Sequence, residues 1–165
     1  MLFRSSGGVT ARYVRLRSTA AQTYWLVVDE FTVTVRPAAT AQTSLTAYQT
    51  YAASNLVDGD TTTWFWSNGA PPVGGYAGVD LGATRAIGPV DVLMANGASP
   101  NDYLHAGILE YSTTGTTWTQ LATFSGHNEV TASPAAGTAA RYLRVRGTAA
   151  QTYWLVVDEF VVSPG

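Results

Sequence analysis

Along most of this chain, β-branched and aromatic residues alternate with polar ones, and turn residues interrupt the pattern at short intervals. Arg141 to Arg146 (RYLRVR) shows the rule. Leu143 and Val145 fall on one side of an extended chain, and Tyr142, Arg144 and Arg146 on the other. This periodicity predicts strands at 43–47, 77–82, 86–95, 105–112, 117–123, 127–131, 139–146 and 154–162. STTG (112–115) reads as a hairpin turn between ILEYS and TWTQLA. Helical spacing is confined to the short stretch AYQTYAASNLVD (47–58). Many short strands joined by Gly-rich connections predict an all-β sandwich.

One pattern occurs twice. Residues 11–33 (ARYVRLRSTAAQTYWLVVDEFTV) return at 140–162 (ARYLRVRGTAAQTYWLVVDEFVV), 129 residues later, and differ only at positions 14, 16, 18 and 32. An offset of one domain length points to a tandem array. The expected organisation is therefore residues 1–36 as the terminal strands of an upstream copy, 37–42 as linker, and 43–165 as one complete domain. The junction RPAATAQTS (36–44) has no apolar period, as a linker should not. Residues 11–17 and 25–33 would form an N-terminal β-hairpin that lacks the body it evolved to cover. Bare edges of this kind pair with other chains, so a homodimer or a strand swap through residues 1–36 is expected.

Composition narrows the function. Charged residues make up 12% of the chain and the net charge is −2, which argues against a nucleic-acid surface. Apolar residues make up 46%, with five Trp and nine Tyr, which argues against disorder. There are no cysteines, so thiol catalysis, disulfides and Cys-based zinc sites are excluded. No stretch reaches the ~18 apolar residues of a membrane span. MLFRSSGG at the N-terminus does not read as a signal peptide.

Two constellations could carry chemistry. The loop Asn55-Leu-Val-Asp58-Gly59-Asp60-Thr-Thr-Thr63 puts two carboxylates around a glycine, followed by hydroxyls. A hard cation such as calcium takes oxygen ligands of this type. The plainer reading is an Asx-rich turn with solvated acids. The second constellation is aromatic. Trp64, Phe65 and Trp66 are consecutive, so only alternate ones can face a core. Trp64 and Trp118 read as core plugs. Trp66, Tyr153 and Trp154, set beside polar loops, suit either a core plug or the face of a pyranose ring. Asn68, Asn96, Asn101 and Asp102 offer amides and a carboxylate for sugar hydroxyls. Catalytic pairs are not evident. His105 and His127 read as ordinary strand or edge residues, and the alternating arginines of 141–146 as a solvated strand face.

The ordered motifs NLVDGDTTTWFWS, YAGVDLG, NDYLHAGILEYSTTGTTWTQL, ARYLRVR and WLVVDEFVV resemble discoidin-like (coagulation factor type C) domains. Among these they are most similar to family 32 carbohydrate-binding modules of the kind appended to bacterial β-N-acetylglucosaminidases and hyaluronidases. The resemblance covers about residues 40–162. It implies an eight-stranded jelly-roll (galactose-binding-domain-like) β-sandwich with a structural calcium. The implied metal ligands are Asn55 (carbonyl), Asp58, Asp60, Thr63, Asp158 (carbonyl) and Glu159. The implied sugar site joins Trp66 and Asn68, the loop carrying Asn96, Asn101 and Asp102, and Tyr153 with Trp154. The chain departs from the galactose-binding pattern: no His follows Trp64 in its loop and residues 95–103 hold no Arg.

The expected function is therefore non-catalytic glycan binding, with terminal N-acetylglucosamine or a related sugar as ligand, in a secreted or cell-surface protein. Galactose-type binding and a protein or lipid adhesion module of the discoidin type are the alternatives.

Overall fold

A computed structural model describes residues 15, 17–28 and 38–165. The chain divides into two compact units, Met1–Arg36 and Pro37–Gly165. In the first, the expected hairpin strands 11–17 and 25–33 lie largely outside the described residues, and residues 17–28 carry bends but no strand.

The second unit holds eight strands: β1 (Thr40–Thr43), β2 (Phe65–Trp66), β3 (Tyr76–Met94), β4 (Ala106–Ser112), β5 (Thr119–Ser125), β6 (Glu129–Ala132), β7 (Ala139–Gly147) and β8 (Val156–Pro164). A 3-10 turn spans Ala53–Val57, where the sequence suggested a short helix. All pairings are antiparallel and form two layers. One layer runs β1–β3–β7–β4–β5 and the other β2–β8–β3–β6. This is the predicted β-sandwich.

Strand β3 belongs to both layers. Its first part, Tyr76–Asp80, lies between β1 and β7, and its last part, Val90–Met94, between β8 and β6. The sequence predicts two strands here, 77–82 and 86–95, because the alternation breaks where the chain turns the corner between layers. The corner has identifiable causes. The register shifts between Asp80 and Arg85, Gly82 takes φ 77°, and Asp80 Oδ1 accepts the Gly82 N–H at 2.8 Å. The strand predicted at 43–47 forms instead at Thr40–Thr43, so part of the expected linker is sheet.

The core lies between the layers. Val79, Leu81, Leu109, Leu143 and Val145 meet Val90, Val92, Met94, Val130, Val157 and Phe160, and Leu56, Phe65, Leu104 and Leu155 complete the cluster. Each fully buried side chain of this size contributes about 1.5–3 kcal/mol. Strand β8 is buried continuously from Val156 to Phe160, including Asp158 and Glu159.

The arginines of β7 correct one expectation. Arg144 and Arg146 do fall on the outer side of β7, with Tyr142, but the arginines are not simply solvated. Arg144 Nε and Arg146 Nε donate to Glu110 Oε1 at 2.6 and 2.8 Å, and Arg141 pairs with Asp80 at 2.9 Å. Burial alone would raise the Glu110 carboxyl; the hydrogen bonds from Arg146 and Arg144 outweigh it and hold the group below its ordinary 4.5. Trp118 is not a core plug either. The Arg144 guanidinium lies over its ring at 3.7 Å, on the outer face of the sheet.

Candidate functional site

The loops at one end of the sandwich are tied together by a few side chains. Ser67 is buried. Its N–H donates to the Leu155 carbonyl, its Oγ accepts the Leu155 N–H, and its hydroxyl donates to the Gly69 carbonyl, at 2.8, 2.8 and 2.7 Å. This fixes the segment bearing Trp66 against the segment bearing Trp154. Gln151 joins two further loops. Its Nε2 donates to the carbonyls of Tyr103 and Tyr153 at 3.0 and 2.9 Å, and its Oε1 accepts the His105 N–H at 3.1 Å. The Val156 N–H donates to the Asp102 carbonyl at 2.7 Å. A chain segment held at this many points presents its side chains with little entropy left to lose on binding.

These ties assemble two sets of rings. Tyr48, Trp66 and Trp154 meet edge to face, with centroids 5.0–5.7 Å apart. Tyr51 supports them, edge-on to Trp66 and stacked on Trp64 at 5.3 Å. The second set is a stack of Tyr103, His105 and Tyr153, spaced 4.3 and 5.0 Å. His105 Nε2 lies 3.0 Å from the Asn101 carbonyl, so this loop histidine is part of the ring assembly, not an ordinary strand residue.

Between the sets lies a shallow hollow of about 320 Å³, lined by Tyr48, Trp66, Asp102, Thr152, Tyr153 and Trp154. That is near the lower end of small-molecule sites, roughly 300–1,000 Å³. Trp66 Nε1 is buried and has no hydrogen-bond partner, an unspent donor on a residue of this wall.

Of the residues singled out in the sequence, the structure brings Trp66, Asp102, Tyr153 and Trp154 together on the hollow. Asn68, Asn96 and Asn101 do not line it. Asn96 Oδ1 instead accepts the Ala98 and Ser99 N–H groups and shapes its own loop, and Asn101 contributes a backbone carbonyl. Tyr48 and Thr152 were missed. Tyr48 was hidden in the stretch that looked helical, and its only signal was an aromatic in a segment without a core-facing period.

The acidic loop folds on itself. Thr63 Oγ1 donates to Asp58 Oδ2 at 2.7 Å, the Asp60 N–H to Asp58 Oδ1 at 2.9 Å, and the Thr62 N–H and hydroxyl to Asp60 Oδ1. Asn55 Nδ2 donates to the Trp64 carbonyl at 3.0 Å. Glu159 meets the loop from β8, where its Oε2 accepts the Gly59 N–H at 3.1 Å.

Residues 38–160 match the family model of the F5/8 type C domain. The chain belongs to this family. No curated protein matches it. Among solved structures, this F5/8 type C domain is similar to chitosan-binding module 1 of a chitosanase/glucanase from Paenibacillus sp. IK-5. The two are 24% identical with a TM-score of 0.64 over 76% of this chain and 94% of that one. Module 2 of the same enzyme, in complex with chitotriose, is 22% identical with a TM-score of 0.64 over 76% and 96%. The family 32 carbohydrate-binding module of Clostridium perfringens NanJ, in complex with galactose, is 18% identical with a TM-score of 0.62 over 75% and 92%. At these identities the likeness is one of fold.

The acidic loop of this F5/8 type C domain suits a hard cation in its chemistry. Burial pushes the Glu159 carboxyl up; the Gly59 and Phe160 N–H groups oppose this, and the negative charges of Asp58 and Asp60 add to it. A cation beside these oxygens would reverse that balance. Among the described residues no three His, Cys, Asp or Glu side chains are gathered as a metal-binding group. A cation held here would have to draw on carbonyl and hydroxyl oxygens beside these carboxylates, the oxygen donors that calcium takes. The Asp158 side chain is a separate matter. Burial raises it to about 6, and its Oδ1 is buried without a hydrogen-bond partner.

Proposed function

We propose that this F5/8 type C domain is a non-catalytic carbohydrate-binding module that takes a terminal amino sugar, N-acetylglucosamine or a related residue, in the hollow at the loop end. One observation carries the reading: four aromatic side chains, Tyr48, Trp66, Tyr153 and Trp154, line a hollow of monosaccharide size beside the carboxylate of Asp102. The apolar ring faces suit the C–H face of a pyranose, and Thr152 and Asp102 suit its polar edge. Among the described residues Asp102 is the only carboxylate on the wall. Hydrolysis of a glycosidic bond calls for two such groups across the bond, so binding without turnover is the better fit. The chitosan-binding modules among the structural neighbours support an amino sugar, and the galactose-bound module supports a galactose-type ligand as the second reading.

The same reading includes a structural calcium at the acidic loop of residues 55–63. The Asn55 and Asp158 carbonyls, the carboxylates of Asp58 and Glu159, and Asp60 and Thr63 would hold it. Its role is to fix the 55–63 loop, from which the chain enters Trp64–Trp66. A secreted or cell-surface location fits a module that meets glycan outside the cell. Among the described residues no helix is long and apolar enough to cross a membrane.

Calorimetric titration with chitotriose, N-acetylglucosamine and galactose tests this. Micromolar-to-millimolar binding of an amino sugar, weakened at least tenfold by Trp66→Ala, is expected. Binding of galactose alone selects the second reading. Flat titrations across a glycan panel overturn both, and retention on lipid vesicles instead would favour an adhesion module.

A further inference from the structure

The structure gives the repeated segment two different environments. In the complete domain, Leu155, Val156 and Val157 are 0% exposed. Their copies Leu26, Val27 and Val28 are 64%, 79% and 48% exposed, and Trp25 is 96% exposed. The sequence of this stretch is the same in both places, TAAQTYWLVV. Its apolar side chains are therefore buried by the body around them and by nothing local.

We infer that residues 11–33 are a second, fully competent closing pair for a body of this fold, and that the partner they fit is a copy of residues 38–139 whose slot for β7 and β8 is open. The four differences between the copies bear this out when placed in that slot. Leu143 and Val145 both point into the core from β7, at 1% and 0% exposure. The copy carries Val14 and Leu16, so one methylene moves two residues along the same inward row and the core volume is kept. At Gly147 an added Cβ would first meet the flexible end of Leu104, at 3.3 Å, which leaves room for Ser18 after a small shift. Val161 is 43% exposed, so a Thr32 hydroxyl there would not be buried. All other side chains are unchanged, including Gln22 for the loop tie made by Gln151, and Arg15 and Arg17 for the arginines on Glu110.

Conservation of the slot does not imply a swap between two intact chains. In the described body β7 already pairs with β3 and β4, and β8 with β2 and β3. Each body accepts one closing pair, so exchange between intact chains exposes as much apolar surface as it covers. The surplus pair gains only from a body that lacks its own.

A cross-chain complementation tests this, and the absence of cysteine makes it readable. The acceptor is the full chain with both copies spoiled by Leu26→Asp, Val28→Asp, Leu155→Asp and Val157→Asp, and with Asp91→Cys added. The donor is the full chain with Thr32→Cys. Val161, the counterpart of Thr32, faces Asp91 across β8 and β3. The two chains are unfolded, mixed and refolded together under oxidising conditions. The expected result is a disulfide-linked heterodimer, at least tenfold above the yield with a donor that also carries Leu26→Asp and Val28→Asp. Equal yields overturn the inference. A second measurement stands apart from the cross-link. The full chain with only Leu155→Asp and Val157→Asp should keep a cooperative melt that the four-aspartate chain lacks, and identical non-cooperative melts would also overturn it.

Discussion

Two glutamates of similar burial, Glu110 on β4 and Glu159 on β8, are 4% and 7% exposed, yet their surroundings push them in opposite directions. Glu110 is met by two arginines from the neighbouring strand and is held low. Glu159 is raised by burial and faces a loop that carries two more acids. The difference separates two kinds of buried charge. Glu110 has its counter-charge built into the chain, so it is a structural clamp. Glu159 sits where an outside cation would complete the balance, and it is there that the proposed calcium would bind.

The largest test of this contrast is to remove the clamp. Glu110→Ala strands two arginines that are 17% and 30% exposed, and should cost about 3 kcal/mol in denaturant unfolding, the lower end for breaking a buried pair. A loss under about 1 kcal/mol would mean that the arginines find water as readily as they found Glu110.

The next is the ion. Calcium at 100 times its Kd should stabilise the protein by about 2.7 kcal/mol, seen as a rise of about 8 °C in Tm that a chelator reverses. Glu159→Gln should abolish most of that rise, whereas Glu110→Gln should leave it intact. If both variants responded to calcium equally, the assignment of Glu159 would fail.

Acid gives a smaller effect of defined sign. Glu110 and Asp80 both titrate below their ordinary values of 4.5 and 3.8. A lowered folded pKa contributes stability that is complete above the unfolded value and is lost as pH falls through the folded one. Melts from pH 7 to pH 3 should therefore change little through these groups until about pH 4.5 and then decline, with a shallower decline in Glu110→Gln. A decline of the same slope in wild type and variant would show that the clamp is not what acid breaks.

Much of the fold could be read from the sequence, because sandwich strands announce themselves by alternation and by turn residues. β4, β5 and β7 lie close to where the pattern placed them. The failures have a common cause in non-local structure. β3 reads as two strands because it changes layer at Gly82, and β2 is too short, at two residues, to show any period. Arg144 and Arg146 looked solvated because Glu110, their partner, lies on a neighbouring strand more than thirty residues away. At the site, Trp66, Tyr153 and Trp154 were legible as aromatics in loops. The asparagines looked equally suitable, but Asn96 is spent on its own turn, and that depends on a backbone path the sequence does not display.

The most direct test of the account is a two-dimensional NMR titration of the isotopically labelled chain with chitotriose, read at the five tryptophan indoles. Selective shifts of Trp66 and Trp154, with the backbone amides of Asp102, Thr152 and Tyr153, are the predicted outcome. Shifts centred on Trp118, or no shifts at millimolar sugar, would contradict it.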